Sequence, residues 1–485
     1  MKHLTLSLKM PALLRQLNRN TAIAIVIGGV IGSGIFMKPS LMAAQLQSPV
    51  LLMTVWVVAG LITLFGALST AEVAAMFPET GGQYVFFQKM YGEGFAFLYG
   101  WAAFAVFNTA GNASIAYVFS QYTNYLIELP RFNDTIEQSW KLHIPFIGNF
   151  YPLQQIGIKL LTVFVVLTLT FISYKSVIYG GRLQRLLTAL KALAILVLIG
   201  SIFFSGKGSV SHFTIETGSG KTGWEMVMLF MAALSGAFWA YDGWNNISFV
   251  AGEIKEPQKN IPLSLLFGLG FCMLVYVLIN LAFVYLMPIN VLAASSFVAS
   301  DAATIAWGAI GGIAITLMVM LFVLGATNAN ILATARVTFA MGTHNKMFRV
   351  AGKIHPRFQT PGNALWINAI WSIVLIFSGS FDMLTDMLIF VTWFFYGMSA
   401  IGVFVLRKKL TDTPRAYKVW GYPLVPFIFI LFTAFFLIST LYNDIDNYLH
   451  GRSPVINSVL GLIITLSGLP LYFLARRKRY ERADS

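Results

Sequence analysis

Two long apolar segments of this chain are broken in the middle by glycine. The first, over 21–46, is interrupted by Gly28-Gly29-Val30-Ile31-Gly32-Ser33-Gly34-Ile35, and the second, over 224–251, by Phe238-Trp239-Ala240-Tyr241-Asp242-Gly243-Trp244-Asn245. A break in mid-membrane strands backbone N–H and C=O groups, which is tolerated only where they face protein or a water-filled cavity. Two breaks at matching places in two halves of a chain point to a solute site between repeats that open alternately to either side.

The chain has 485 residues, of which 57% are hydrophobic and only 11% charged. A soluble domain carries roughly 25% charged residues. Apolar runs repeatedly reach the ~20 residues that cross a bilayer. Twelve are expected, over 21–46, 49–77, 95–127, 154–174, 184–205, 224–251, 262–287, 305–340, 363–380, 384–406, 421–443 and 454–475. The polar, basic segment 1–20 precedes a first run too long for a signal-peptide core, so this run reads as an uncleaved first helix.

The net charge of +14 does not imply nucleic acid, because of where the charge sits. With both termini inside, the external segments hold only Lys38, Arg131, Lys141, Lys159, Lys207, Lys221 and Arg452, while Lys191 and Arg336 fall within spans. All other Lys and Arg residues are then cytoplasmic, which is the positive-inside pattern. Arg407-Lys408-Lys409 and Arg476-Arg477-Lys478-Arg479 are placed to hold topology against anionic lipid. The single cysteine, Cys272, lies within a span and reads as a small buried apolar residue, so an internal disulfide is excluded.

The expected organisation is a cytoplasmic segment 1–20, a five-helix repeat 21–205, a second five-helix repeat 224–406, helices 11 and 12 over 421–475, and a basic cytoplasmic tail 476–485. An odd number of spans per repeat makes the halves face opposite sides. The loop 129–153, with Pro130, Pro145 and Pro152, reads as an ordered external cap.

Unwinding at Gly32-Ser33-Gly34 leaves a half-helix starting near Ile35, whose free N–H groups carry the positive end of a dipole. An anion such as an α-carboxylate fits there, with the Ser33 hydroxyl as a further donor. The half-helix before the break ends near Val30 and Ile31 with unpaired carbonyls, which suit an α-ammonium group. A small-residue packing face at Gly28 and Gly32 is the competing reading, and the second break favours the ligand site. There Asp242-Gly243 sits in mid-span, and a buried carboxylate is costly enough to imply a role. Asp242 could accept an ammonium or a cationic side chain, titrate as a proton carrier, or cap the second half-helix. Trp239 either closes over a small substrate or packs in the core. Lys191 is too deep to reach the interface, so carbonyls or an acid should pair with it; it could hold the place of a sodium ion or exchange protons. Glu72 and Arg336, nearer the cytoplasmic ends of their spans, read as gate or loop-anchoring charges. All six histidines lie outside the spans, which argues against an intramembrane histidine relay or metal site.

These residues resemble a known family. Gly32-Ser33-Gly34-Ile35-Phe36 is similar to the first-helix signature of the amino acid–polyamine–organocation superfamily, as is Phe77-Pro78-Glu79-Thr80-Gly81-Gly82-Gln83-Tyr84. Trp239-Ala240-Tyr241-Asp242-Gly243-Trp244-Asn245 with Gly252-Glu253-Ile254-Lys255-Glu256-Pro257 resembles the L-type amino acid transporter branch. Asn328, Arg336, Ile354-His355-Pro356-Arg357 through Thr360-Pro361, and Trp393 extend the match over roughly 20–410.

The resemblance implies an all-α integral membrane protein of twelve helices. It implies a leucine-transporter-type 5+5 inverted repeat plus two, with helices 1 and 6 broken. It implies amino acid binding by Val30, Ser33 and Gly34 on helix 1 and by Trp239 and Asp242 on helix 6, and the breaks themselves add Ile31, Ile35, Ala240 and Gly243 as substrate-binding candidates. It implies gating or coupling by Trp239, Lys191, Asp242 and Trp393, with Lys191 standing in the place of a sodium site. Many large-neutral exchangers have glycine where this chain has Asp242, and an acid there resembles the branch that also takes basic amino acids. Animal members bond a heavy chain through a cysteine between spans 3 and 4, and 129–153 has none. A stand-alone transporter of prokaryotic type is therefore expected in the plasma (inner) membrane, with substrate and lipid as its partners and no cofactor, metal or nucleic acid. The expected activity is sodium-independent amino acid exchange, with proton-coupled symport as the alternative and a non-transporting sensor as the remote one. Paired acids, serine–base pairs and metal clusters are missing from the spans, which argues against an intramembrane enzyme.

Overall fold

The computed structural model describes residues 15–79, 81–175, 180–214, 220, 222–344 and 348–480. Residues 1–14 of the N-terminal segment, Thr80 of the Phe77–Tyr84 motif and 481–485 of the basic tail lie outside the described residues. Nine helices among them are long and apolar enough to cross a membrane, or ten with the bent pair α1 (Arg19–Val30) and α2 (Gly34–Leu46) taken as one span. Two shorter apolar helices, over Thr188–Phe204 and Gly362–Ser378, coincide with the remaining expected segments.

Local sequence explains where these helices start and stop. Asn18 caps α1, accepting the Thr21 N–H at 3.0 Å. Ser48 caps α3 (Pro49–Met76), with proline in the first helical position where its missing N–H costs nothing. The next elements are α4 (Gln83–Tyr91) and the span α5 (Glu93–Leu126). Within α5, Ala103–Asn108 form a π-helical turn, a deviation that is frequent at functional sites.

The cap expected over 129–153 contains a short helix, α6 (Asp134–Ser139), and a hairpin in which β1 (Leu142–Ile144) pairs antiparallel with β2 (Gly148–Phe150). Asn149 N–H donates to the Pro454 carbonyl at 2.8 Å, which ties this hairpin to the connection between the last two spans. The remaining elements are α7 (Ile156–Lys175), α8 (Gly180–Phe204), α9 (Trp224–Tyr241), α10 (Asn246–Phe249), α11 (Pro257–Leu286), α12 (Ile289–Ala294), α13 (Val298–Trp307), α14 (Ala309–His344), α15 (Gly362–Ser378), α16 (Phe381–Lys409), α17 (Leu424–Leu449), α18 (Asn457–Leu466) and α19 (Gly468–Tyr480).

Broken helices α1/α2 and α9/α10 run through the centre. They pack against α3, α8 and α11 on one side, and α5 gathers α7, α14, α15 and α16 on the other. The helices α1 and α2 are bent by 43° across the break. The second break runs from Asp242 to Asn245, between α9 and α10.

Glu72 anchors the C-terminal end of α3. Its buried carboxylate accepts Arg407 Nε at 2.9 Å and Nη2 at 2.6 Å, and the Val419 N–H at 2.8 Å, with Arg415 Nε 3.4 Å away. One acid thus fixes the end of α16 and the loop that follows it. Removing a partner from a buried ion pair costs about 3–5 kcal/mol, because the remaining charge stays buried and uncompensated. Glu72→Ala is therefore expected to lower the melting temperature of the purified protein clearly. An unchanged melting curve would show that water replaces the carboxylate without cost.

Candidate functional site

The two breaks touch. A Cβ on Gly29 would lie 2.8 Å from the Gly243 carbonyl oxygen, and one on Gly243 would lie 2.5 Å from the Gly29 oxygen. Gly243 also has φ +98°, a left-handed conformation open mainly to glycine. Gly34 is equally confined, since its Cβ would meet the Ala240 Cα at 2.5 Å. Close approach of helix to helix is thus the first reason for glycine at these positions. Gly32 is not confined in this way, its nearest neighbour being the Val30 oxygen at 3.7 Å.

The end of α1 corrects one sequence expectation. The carbonyls of Val30 and Ile31, expected to be unpaired, both have partners. The Tyr276 hydroxyl on α11 lies 2.9 Å from the Val30 oxygen and 2.9 Å from that of Ala240, so one side chain joins the ends of both half-helices. Lys191 on α8 is buried and donates to the Ile31 oxygen at 2.8 Å. The physical reason is the negative end of the α1 dipole, which attracts donors when no water is near. A carbonyl oxygen has two lone pairs, so a second donor can still be accepted.

Beyond the break, Phe36 and Met37 N–H groups reach the Ser33 carbonyl at 3.1 and 3.2 Å. Gly34 and Ile35 precede them in the first turn of α2, where N–H groups have no intrahelical acceptor.

A cavity of ≈ 80 Å³ opens at this junction. Of the residues singled out in the sequence, Val30, Ser33, Gly34, Trp239, Asp242 and Gly243 line it. Ile31, Ile35 and Ala240 are buried behind it rather than among its lining residues. Trp239 is 8% exposed and meets Phe381 edge-on at 6.2 Å. Trp393 does not line the cavity; it lies 3.7 Å centroid to centroid from Phe238 and packs against Phe429 and Phe436. Tyr396, one turn further along α16, takes the cavity position and donates its hydroxyl to Asp242 Oδ1 at 2.7 Å.

Sequence reasoning missed the opposite wall. Phe107 and Asn108 come from the π-helical turn of α5, Asn330 from α14, and Thr392 and Tyr396 from α16. The signal available was the amides inside apolar runs. Asn330 Nδ2 donates to Asn112 Oδ1 at 2.8 Å, and Asn112 Nδ2 reaches Thr334 Oγ1 at 3.3 Å, which locks α5 to α14 behind the cavity. Asn328 faces away and accepts from Ser173 at 3.0 Å.

Four polar atoms of lining residues are buried without a hydrogen-bond partner: Ser33 Oγ, Asn108 Nδ2, Trp239 Nε1 and Thr392 Oγ1. Each such group costs about 1–3 kcal/mol when left unsatisfied. Their convergence on one cavity is what a polar solute would relieve. Among the described residues, no group of three His, Cys, Asp or Glu side chains stands ready for a metal. A larger hollow of ≈ 550 Å³ lies on the cap formed by 129–153 and the residues after it, but there Arg131 pairs with Asp134 and Glu137, so its charges satisfy one another.

The family model described as amino acid permease matches residues 17–465. The serine/threonine exchanger SteT of Bacillus subtilis (strain 168) is 30% identical over 462 residues, which is 94% of this chain and 96% of that protein. The large neutral amino acids transporter small subunit 2 of Homo sapiens is 31% identical over 467 residues, 96% of this chain and 81% of the relative. The b(0,+)-type amino acid transporter 1 of Mus musculus is 27% identical over 477 residues, 96% and 89%. With touching helix breaks around a polar-lined cavity and a family match over nearly its whole length, this chain belongs to the amino acid permease family, within the amino acid–polyamine–organocation superfamily.

Proposed function

We propose that this chain is a sodium-independent exchanger of amino acids that works by alternating access. It is a multi-pass membrane transporter and not an enzyme. The observation that supports a polar-ligand site is the set of four unpartnered buried polar atoms around a cavity at two touching helix breaks, and the similarity to a serine/threonine exchanger supports the exchange mode. The substrate carboxylate takes the Ser33 hydroxyl and the N–H groups of Gly34 and Ile35. The ammonium takes the second lone pair of the Val30 carbonyl, with Ile31, Ala240 and Gly243 holding the backbone in place. Trp239 closes over the ligand. Lys191 supplies the positive charge that a bound sodium ion supplies elsewhere. Trp393 acts on gating indirectly, through Phe238 on the same helix as Trp239.

The repeats 21–205 and 224–406 move against each other, and helices 11 and 12 over 421–475 complete the bundle. Both termini face the cytoplasm in a plasma (inner) membrane. The chain works without a disulfide-linked heavy chain, since its one cysteine, Cys272, is buried in α11 and 129–153 holds none.

Reconstitution into liposomes tests this reading. Labelled neutral and basic amino acids are offered with and without unlabelled amino acid inside. Uptake that requires internal substrate, and needs neither sodium nor a proton gradient, is the expected result. Uptake into empty liposomes driven by a pH gradient would replace exchange with proton symport.

Asp242 decides the side-chain class. Its carboxylate faces the cavity and is held by Tyr396. Hydrogen bonds to charged groups contribute roughly 1.5–3 kcal/mol, so Asp242→Gly is expected to reduce uptake of cationic amino acids about 10- to 100-fold, with a smaller effect on neutral ones. Equal loss for both classes would mean that Asp242 serves the backbone of the substrate or the protein, not its side chain.

A further inference from the structure

The cavity wall opposite the helix breaks rests on an irregular turn, and that turn is held from outside the cavity. Ala103–Asn108 of α5 form the π-helical turn, and its last two residues, Phe107 and Asn108, line the cavity. A π-turn bonds each N–H five residues back instead of four, which disturbs the ladder where the α-helix resumes. The Thr109 N–H, which would serve the Ala105 carbonyl in an α-helix, goes to the Val106 oxygen instead. A carbonyl deprived of its partner is costly within a membrane span.

Side chains take over the lost contacts. The Trp371 indole N–H, on α15, donates to the Ala105 oxygen at 2.8 Å. Ser372, the next residue, is buried and donates its hydroxyl to the Thr109 oxygen at 3.0 Å. Thr109 in turn donates its own hydroxyl to the Phe104 oxygen at 2.7 Å. The rings of Trp371 and Phe104 lie 6.1 Å apart. Two adjacent side chains of α15 thus grip the backbone on either side of Val106, Phe107 and Asn108, and neither of them lines the cavity.

The turn presents a donor. Asn108 is 7% exposed, and its Nδ2 is buried at the cavity without a partner. Ser33 and Gly34, which take the carboxylate, stand on the other wall. Asn108 therefore faces the part of a bound amino acid that points away from the carboxylate, which is its side chain. An amide N–H there is satisfied by a side-chain oxygen and left stranded by a methyl group of the same size.

We propose that Trp371 is a positioning residue for substrate selectivity: its bond to the Ala105 carbonyl holds the π-turn that aims the Asn108 amide at the substrate side chain. Side chains with an oxygen acceptor are then taken in preference to apolar ones of the same shape. Trp371 touches no substrate and acts only through the turn. The inference rests on the amino acid transport reading above and deepens it.

Threonine and valine test this, because they differ only by a hydroxyl in place of a methyl group. The KM for each is measured in reconstituted vesicles loaded with unlabelled amino acid, and the parent is expected to have the lower KM for threonine. Trp371→Phe keeps a ring and removes the N–H. It is expected to shrink the valine-to-threonine KM ratio about 3- to 10-fold, through a higher KM for threonine. Ser372→Ala is expected to shift the ratio the same way by less, and it carries the test independently of how well Trp371→Phe folds. Trp366→Phe, on the same helix but packed against Tyr174, is expected to leave the ratio unchanged. A general loss of folded protein lowers the maximal rate for both amino acids and does not move the ratio. Asn108→Ala is expected to bring the ratio to about one, and adding Trp371→Phe to it to change nothing further, since the two act through one contact. Unchanged ratios in Trp371→Phe and Ser372→Ala, a further fall in the Asn108→Ala background, or a parent that takes both amino acids equally would overturn the inference. A parent that takes up no amino acid at all would instead overturn the transport reading, and the inference with it.

Discussion

Gly34→Val is expected to reduce amino acid uptake by roughly two orders of magnitude while the protein still inserts into the membrane. Overpacking a tight contact costs about 1–3 kcal/mol, and each 1.4 kcal/mol is a factor of ten. The Cβ alone would sit 2.5 Å from the backbone of Ala240, which cannot swing aside as a flexible side chain could. The half-helices α2 and α9 must separate, and the separation carries the first N–H groups of α2 away from the carbonyls at the end of α1. The substrate would then meet its two backbone anchors at the wrong spacing. Uptake in reconstituted vesicles, together with the elution profile of the purified variant, checks this. A Gly34→Val protein that elutes normally and transports at the parent rate would show that the helix 1 break is a packing device only.

Lys191→Ala is expected to lower exchange about 10- to 100-fold. The lost interaction is a charge-assisted hydrogen bond of 2.8 Å to the Ile31 carbonyl, and its loss leaves a buried acceptor at the end of α1. Such a loss costs roughly 1.5–3 kcal/mol. Lys191→Arg separates the two roles open to this residue. A guanidinium keeps its charge at every relevant pH, so a fixed-charge role survives the change, whereas a proton-exchange role does not. Exchange by Lys191→Arg in sodium-free medium with no pH dependence supports the fixed charge. A pH-gradient-driven uptake in the parent that disappears in Lys191→Arg would establish proton coupling. Lys191→Ala with the parent rate would remove this lysine from the transport cycle altogether.

These two predictions lie on opposite sides of what could be read before the fold was known. Backbone polarity in lipid obeys a local rule: every N–H and C=O must find a partner nearby, so the spans and the two places where helices stop in mid-membrane were legible from residues 21–46 and 224–251 alone. Ser33, Gly34, Trp239 and Asp242 followed, because they occupy those breaks. Periodicity, however, tells which face of a helix is apolar and not which helix it meets. Asn108, Asn330, Thr392 and Tyr396 complete the cavity from three other helices, hundreds of residues apart in the chain. Only packing could show that Tyr396, and not Trp393, holds the cavity position on α16, or that Tyr276 and Lys191 satisfy the carbonyls at the end of α1.

Lys38 shows the limit most clearly. It read as one more external cation, because twelve spans with both termini inside put that end of the first span outside. Its partner is Asp382, 344 positions away. A chain written in one dimension specifies where its helices must cross the bilayer and where they must break. Charges and amides acquire roles only when distant helices meet, since Coulomb and hydrogen-bond energies depend on distances of a few ångströms in space and not on separation along the chain.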